Sequence, residues 1–328
     1  MTPPITPQGR NGKKVAVSTD RPIMADKTPG PSGWLVIDKP TGITSARVVS
    51  QARRALGTRK IGHGGTLDPL ASGVLPLAVG EATKTVAYAM AGQKIYHFTV
   101  RWGEQRSTDD AEGEAIAFSD QRPTAEEIRQ ILPRFIGLID QVPPDFSAIK
   151  VAGVRAYKLA RADQPVVLKS RQVTVNELKL LAIPDCDQAE FAVVCGKGFY
   201  VRSLGRDLAL ALGTVGYISA LRRTRVGPFH IEAAIPLDKL EALGHSAAIL
   251  ECLLPIETAL DDIPALALTE SEAARLKLGQ PLQALRTGSP ASRPLPDGSV
   301  AYATAGGKPV ALVRLDGDFI RPVRVLNL

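Results

Sequence analysis

Asp68 stands in GHGGTLDPLASGVLPLAVGEATK, residues 62–84, the stretch of this sequence best equipped for chemistry. Gly62, Gly64 and Gly65 allow positive φ or a close approach of backbone to a ligand. The following Pro69 biases Asp68 towards an extended conformation that directs its side chain outward. A carboxylate displayed in this way can serve as a base, a nucleophile or the partner of a cation. A phosphate cradle is excluded, because GxxxxGK[ST] is absent and Leu67 breaks a GxGxxG register. An isolated aspartate before proline is more often a turn residue, so the neighbouring elements and the remaining motifs decide its role.

Upstream of this loop, Trp34–Ile37 reads as a strand that Pro40 and Gly42 terminate. Ser45 is placed to cap a helix over ARVVSQARRALG, with Val49, Ala52 and Leu56 on its apolar face and Gly57 as its stop. Downstream, the apolar run Val74–Val79 predicts a buried strand, and a helix is expected from Ala82 to Met90. KIYHFTVRWG alternates, with Tyr96, Phe98, Val100 and Trp102 on one face. Thr124 and Glu127 make a capping box for a helix that Pro133 must bend or shorten. Further strands are expected around 171–183 and 191–195, then a helix from Tyr200 to Leu212 that ends at Gly213. An acidic helical stretch, 235–262, leads to a second capping box at Thr269 and Glu272. The chain closes with strands at 300–303, 308–315 and 319–326, the last two joined by an Asp316-Gly317 turn. Without a regular βαβ repeat this pattern predicts an α+β fold carrying a small β-rich C-terminal module.

Composition narrows the partners. The 328 residues carry a net charge of +7, and 45% hydrophobic with 22% charged residues is ordinary for a globular chain. The charge is segregated: residues 1–60 hold 11 basic and 3 acidic side chains, whereas 228–275 hold 2 and 9. Two more segments are basic, 144–172 with 6 against 2 and 197–227 with 6 against 1. Converging on one surface, these stretches would suit a polyanion. Cys186, Cys195 and Cys252 show no CxxC spacing and the four histidines no HExxH, so neither a zinc site nor a disulfide framework is supported. No apolar run approaches the ~20 residues of a membrane span and no signal-peptide core is apparent, so a soluble cytoplasmic protein is expected. Residues 1–30, rich in Pro, Gly, Ser, Thr and charge, are expected to be a flexible basic extension.

GHGGTLDPLASGVLP resembles the catalytic motif of the TruB family of pseudouridine synthases. Five further blocks agree in order and spacing: DKPTGITS (38–45), GEATK (80–84), KIYHF, PPDFSAIKVAGVRAYKLAR and GKGFYVRSLGRDL (196–208). Together they span most of residues 33–227. The resemblance implies the pseudouridine synthase fold, with a mixed, largely antiparallel sheet in a catalytic domain over 31–262. It also implies an RNA-gripping insertion at about 144–172 and a PUA-like RNA-binding domain over 263–328. Asp68 would be the carboxylate required to break the N1–C1′ bond of uridine and permit C5–C1′ rejoining, an isomerisation that needs no cofactor. Arg202 would pair with that carboxylate, and Tyr96 would stack on the target base and help remove its C5 proton.

His63 would help extrude the target nucleotide, at a cost on the order of a few kcal/mol for leaving the stack. Gly64, Gly65, Leu67 and Tyr200 would contact substrate, Lys84 and Lys150 would contact phosphates, and Lys39 and Pro40 would form a structural motif beside the cleft. Gly64 is a departure, since many relatives carry threonine there, and any hydroxyl contact at that position is in doubt. The implied substrate is the T-loop uridine, position 55, of elongator tRNA, modified by a monomer without an obligate protein partner. Two other readings compete: a guide-RNA-dependent rRNA pseudouridine synthase with the same aspartate motif, and a non-catalytic tRNA-folding or RNA-binding protein on the same scaffold.

Overall fold

The computed structural model describes residues 30–151, 153–162, 164–244, 246–283 and 295–328. The extension expected at 1–30 therefore lies, apart from Gly30, outside the described residues. Residues 31–328 form one compact unit.

Its main sheet is built from β1 (Gly33–Lys39), β2 (Ser72–Val79), β3 (Lys94–Trp102), β4 (Gly137–Gln141), β5 (Arg171–Asp185), β6 (Gln188–Cys195) and β7 (Gly216–Val226). They lie in the order β1-β2-β7-β3-β6-β5-β4, with the short strand Ile235–Pro236 outside β1. Ile235–Pro236 runs parallel to β1 and β7 parallel to β2, while the other neighbours along this order are antiparallel. The sheet is thus mixed and largely antiparallel, as the resemblance implied.

Alternation along the central strands assigns the core. Leu35 and Ile37 of β1 and Leu75, Leu77 and Val79 of β2 join Phe98, Val100 and Trp102 in one large cluster. The intervening Trp34, Val36, Val74 and Ala78 join Phe229, Ile256 and Leu326 in a second. Both faces of these strands are covered, which is why their sequence reads as a near-continuous apolar run.

On the first face lie helices α1 (Ser45–Ala55) and, after α2 (Ala125–Ile131), α3 (Val201–Ala211). The cap of α1 is Thr44, whose hydroxyl accepts from the Arg47 amide at 3.2 Å, and not Ser45, which is drawn away to Leu67 in the loop that carries Asp68. Residues 80–91 also depart from expectation: a 3-10 turn over Gly80–Thr85 precedes a short α-helix, Val86–Ala91. The hydroxyls of Thr83 and Thr85 donate back to the carbonyls of Gly80 and Ala82, a local competition that tightens the turn. After α2, Pro133 diverts the chain into a 3-10 turn. The acidic stretch 235–262 breaks into the short helical pieces Leu237–Ala242, Ala248–Glu251 and Ile256–Leu260.

The PUA-like C-terminal part is a separate five-stranded sheet containing β8 (Val300–Ala305), β9 (Lys308–Asp316) and β10 (Phe319–Val325), with helix α4 (Glu270–Lys277) against it. It has its own hydrophobic cluster, including Leu266, Leu276 and Val313. Glu81 fastens it to the first sheet, accepting the Asn327 amide at 2.9 Å, while Lys84 bridges Glu81 and the Val325 carbonyl, both at 2.6 Å.

Candidate active site

The loop from Gly64 to Ala71 carries Asp68, and five separate groups hold it. The Gly64 amide donates to the Pro76 carbonyl of β2 at 2.7 Å. Arg223 of β7, 2% exposed, spans the loop from beneath, donating to the carbonyls of Gly65 at 3.0 Å, Thr66 at 3.3 Å and Val74 at 2.8 Å. The Ser45 hydroxyl both donates to the Leu67 carbonyl and accepts its amide, each at 2.8 Å. Lys39, fully buried, donates to the carbonyls of Pro40, Ile43 and Pro69. The Gly42 amide takes the same Pro69 carbonyl at 2.8 Å. Leu67 is packed into the core as an anchor. The residues on both sides of Asp68 are therefore fixed, and its side chain starts from a preorganised backbone.

Arg202, in the first turn of α3 and 5% exposed, meets that side chain: its Nη2 lies 2.9 Å from Asp68 Oδ2. All three of its nitrogens have further partners or share the one to Asp68. Nη1 donates to the Thr108 carbonyl and Nη2 to the Phe146 carbonyl, both at 3.0 Å, and Nε lies 3.4 Å from Asp110 Oδ2. A guanidinium held through several partners is restrained from swinging, so it offers Asp68 Oδ2 a fixed cation. The Asp68 side chain nevertheless stays 38% exposed, against 6% for Arg202. This combination, a restrained but accessible carboxylate, suits a group that must meet a substrate.

Tyr96 of β3 sits beside this pair, half-buried, with the charges of Arg223 and Asp68 acting on its phenol. Burial raises its pKa, outweighing the opposing pull of Arg223, so the phenol is neutral at physiological pH. A neutral phenol favours stacking over proton abstraction as its contribution. Lys39 is brought down to about 8 by burial, which Asp68 and Glu112 oppose and Arg223 reinforces. His63, on the short strand Ile61–His63 paired with β2, is lowered by burial and by Arg223, and its buried Nδ1 has no partner among the described residues. A neutral ring can enter a base stack without a charge to desolvate.

Gly64 has a packing explanation. A Cβ there would stand 3.3 Å from Cζ3 of Trp34, an approach close enough that the ring would have to shift by a few tenths of an ångström. Tyr200 caps α3 through its backbone, its amide and carbonyl both bound by the side chain of the buried Gln141, with Arg171 5.0 Å above its ring. Lys150 is exposed in a small hairpin, Lys150–Val151 against Val154–Arg155. Lys84 is not a free phosphate contact: it lies beyond the far end of β2 and is committed to Glu81 and Val325.

Three contributors are not evident from the sequence. Arg223 is one charge in a basic run, Ser45 looks like a cap, and the loop around Asp109 and Asp110 carries no motif. The sole signal for the last is an Asp-Asp pair between Thr108 and Gly113, which is indistinguishable from a polar turn without its partners. Among the described residues, no group of three or more His, Cys, Asp or Glu side chains converges as a metal would require.

The model of the TruB family pseudouridylate synthase N-terminal domain matches residues 53–201, and that of the tRNA pseudouridylate synthase B C-terminal domain matches 202–261. A protein of Rhodospirillum rubrum named tRNA pseudouridine synthase B is 57% identical, over 90% of this chain and 96% of its own length. This chain belongs to the TruB family. A Bradyrhizobium diazoefficiens member with the same name is 52% identical over 90% of this chain and 86% of its own. Among solved structures, a chain of a Cbf5-Nop10-Gar1 complex matches with TM-score 0.70 and 27% identity, covering 90% of this TruB-family chain and 85% of that one. An archaeal box H/ACA sRNP Nop10-Cbf5 complex gives TM-score 0.68 at 25% identity, covering 90% and 86%. The two family models meet inside α3, between Val201 and Arg202, so their junction is not a break in the fold.

Proposed function

We propose that this chain isomerises the T-loop uridine of tRNA to pseudouridine, acting without guide RNA or partner protein, as a cytoplasmic monomer. The observation that carries the proposal is the Asp68 carboxylate, gripped by Arg202 at 2.9 Å yet open to a substrate. The target nucleotide leaves its stack and its sugar meets Asp68, which breaks the N1–C1′ bond; the released base turns on Tyr96 and rejoins through C5. No atom is gained or lost overall: C5 gives up a proton as C1′ joins it and N1 gains one in place of C1′, so the residues need only position, polarise and help that proton leave C5. Asp68, Tyr96 and Arg202 form the catalytic set, with His63 taking the place of the extruded base and Gly64, Gly65, Leu67 and Tyr200 shaping the cleft around it.

The domain division that serves this reaction is a catalytic part over residues 31–262 and an RNA-binding PUA-like part over 263–328. The segment 144–172 grips the T arm. Lys150, Arg155, Lys158, Arg161 and Lys169 all lie on it and are exposed, which supports a role in meeting phosphates. Relatives at 50–57% identity named for tRNA favour this substrate over a guide-RNA-directed one, whose structural counterparts stand at 25–27%. The test is incubation of the purified chain with a bare T-arm hairpin, followed by mapping of pseudouridine. Conversion at the T-loop uridine is expected. Inactivity on the hairpin and on several intact tRNAs would remove the reading.

A further inference from the structure

Helix α3 carries a second arginine one turn after Arg202, and the two hold the same pair of segments. Arg202 takes the carbonyls of Thr108 and Phe146 and faces Asp110. Arg206 pairs through Nη1 with Asp109 Oδ2 at 2.9 Å and donates through Nη2 to the Val142 carbonyl at 2.9 Å, with Nε on the adjacent Asp207 at 3.0 Å. Ser203, between them, donates to the same Val142 carbonyl at 2.8 Å. Both arginines thus join the loop at 108–110 to the root of the basic insertion at 142–146.

Adjacent residues of an extended chain point to opposite sides, so Asp109 and Asp110 could not both reach one helix face without a special backbone. Among the described residues Asp109 is the one non-glycine with positive φ, at 59°. That conformation is disfavoured even for aspartate. It is locked by the Ile218 amide donating to the Asp109 carbonyl at 3.0 Å and the Ala111 amide donating to the Ile218 carbonyl at 3.1 Å. Asp109 is also 7% exposed, and burial pushes its carboxyl up to about 6 in spite of Arg206 and Arg202. A strained backbone under a buried charge is a poor device for stability. Its geometric product is the delivery of Asp110 and the Thr108 carbonyl to Arg202.

We propose that Asp109 and Arg206 are a positioning pair: they fix the turn at 108–110 and the segment at 142–146 so that Arg202 meets Asp68 with its other donors already engaged. The inference deepens the proposed isomerase reading and rests on it for its kinetic consequence. Both side chains are engaged by groups of the protein itself, so the effect is expected in the chemical step more than in tRNA affinity.

The test compares wild type with Asp109→Asn, Asp109→Gly, Arg206→Gln and the Asp109→Asn/Arg206→Gln double variant. Asn and Gly tolerate positive φ, and a glycine variant keeps the fold even where the asparagine variant does not. Single-turnover pseudouridine formation at saturating enzyme should fall about ten- to a hundredfold in each single variant, with tRNA Kd within about twofold of wild type. The double variant should be no slower than the slower single, because the two residues act as one unit. The Nε–H signal of Arg202 in ¹⁵N-arginine spectra, assigned by its loss in Arg202→Lys, should shift in every variant. A wild type inactive on all tRNAs would defeat the isomerase reading, while the Arg202 signal would still decide the positioning. An unmoved Arg202 signal, unchanged single-turnover rates, or losses that multiply in the double variant would each overturn the pair.

Discussion

The loop bearing Asp68 and the basic insertion after Pro144 are built by opposite rules. Around Asp68, hydrogen bonds arrive from β1, α1, β2 and β7, so residues far apart in sequence agree on one position for one carboxylate. Within the described part of 147–164, backbone hydrogen bonds such as Ala156 to Ile149, Tyr157 to Ser147 and Gln164 to Leu159 stay inside the segment, and cations such as Lys150 and Arg155 face solvent. Chemistry at C1′ tolerates little displacement, whereas a grip on an RNA backbone gains from surface charge that can adapt. On the proposed reading, rigidity is concentrated where a bond would be broken, and exposed charge where an RNA backbone would be held.

That contrast can be broken at several points. Short of removing the Asp68 charge itself, the largest effect is expected for Arg202→Lys: a point charge cannot reproduce the several contacts of the guanidinium, and kcat should drop about a hundredfold or more with little change in tRNA affinity. Equal kinetics in that variant would show that the fixed fork is unnecessary. Ser45→Ala removes both bonds to Leu67 and leaves a buried amide and carbonyl unpaired, costing about 1–3 kcal/mol. Denaturant unfolding should report that loss, and kcat should fall further than KM rises.

Gly64→Thr should destabilise by a similar ~1–3 kcal/mol through overpacking against Trp34, and Trp34→Phe should recover part of it. In the insertion, replacing Lys150, Arg155 and Lys158 by Gln should instead weaken tRNA binding while leaving the single-turnover rate at saturation unchanged. The slope of log affinity against log salt should shrink by about one for each phosphate that these side chains no longer neutralise. A fall in the rate with unaltered binding would reverse the contrast drawn above.

The smallest effect concerns the junction between the two sheets. Burial alone would raise the Glu81 pKa, but the Asn327 amide, Lys60 and Lys84 outweigh it and bring it down to about 2 from an ordinary 4.5. Its contribution to stability is complete above about pH 4.5 and is lost as pH falls through about 2. Glu81→Gln should therefore lower Tm at pH 7 and lose less Tm than wild type between pH 5 and about 3. Parallel Tm profiles would show that the carboxylate does not hold the sheets together.

How much of this was legible in the sequence follows from the range of the interactions. The alternation of KIYHFTVRWG gave β3 and the orientation of Tyr96, and both capping boxes formed as their spacing required. The motif placed Asp68 and Arg202 in one family pattern, and the two side chains do meet. The helix expected over 82–90 fell to threonine hydroxyls competing for its carbonyls, a local effect that the pattern understated. Ser45, Arg223 and Asp109 were hidden for a different reason. Their partners lie 22 or more residues away, and no local pattern specifies an interaction across that separation.

The most direct measurement is the single-turnover rate of pseudouridine formation by Asp68→Asn, taken beside its tRNA dissociation constant. The substitution keeps size and polarity but removes the charge, so no pseudouridine should form while Kd stays within about threefold of wild type. Turnover close to that of wild type, with binding intact, would mean that another group breaks the N1–C1′ bond.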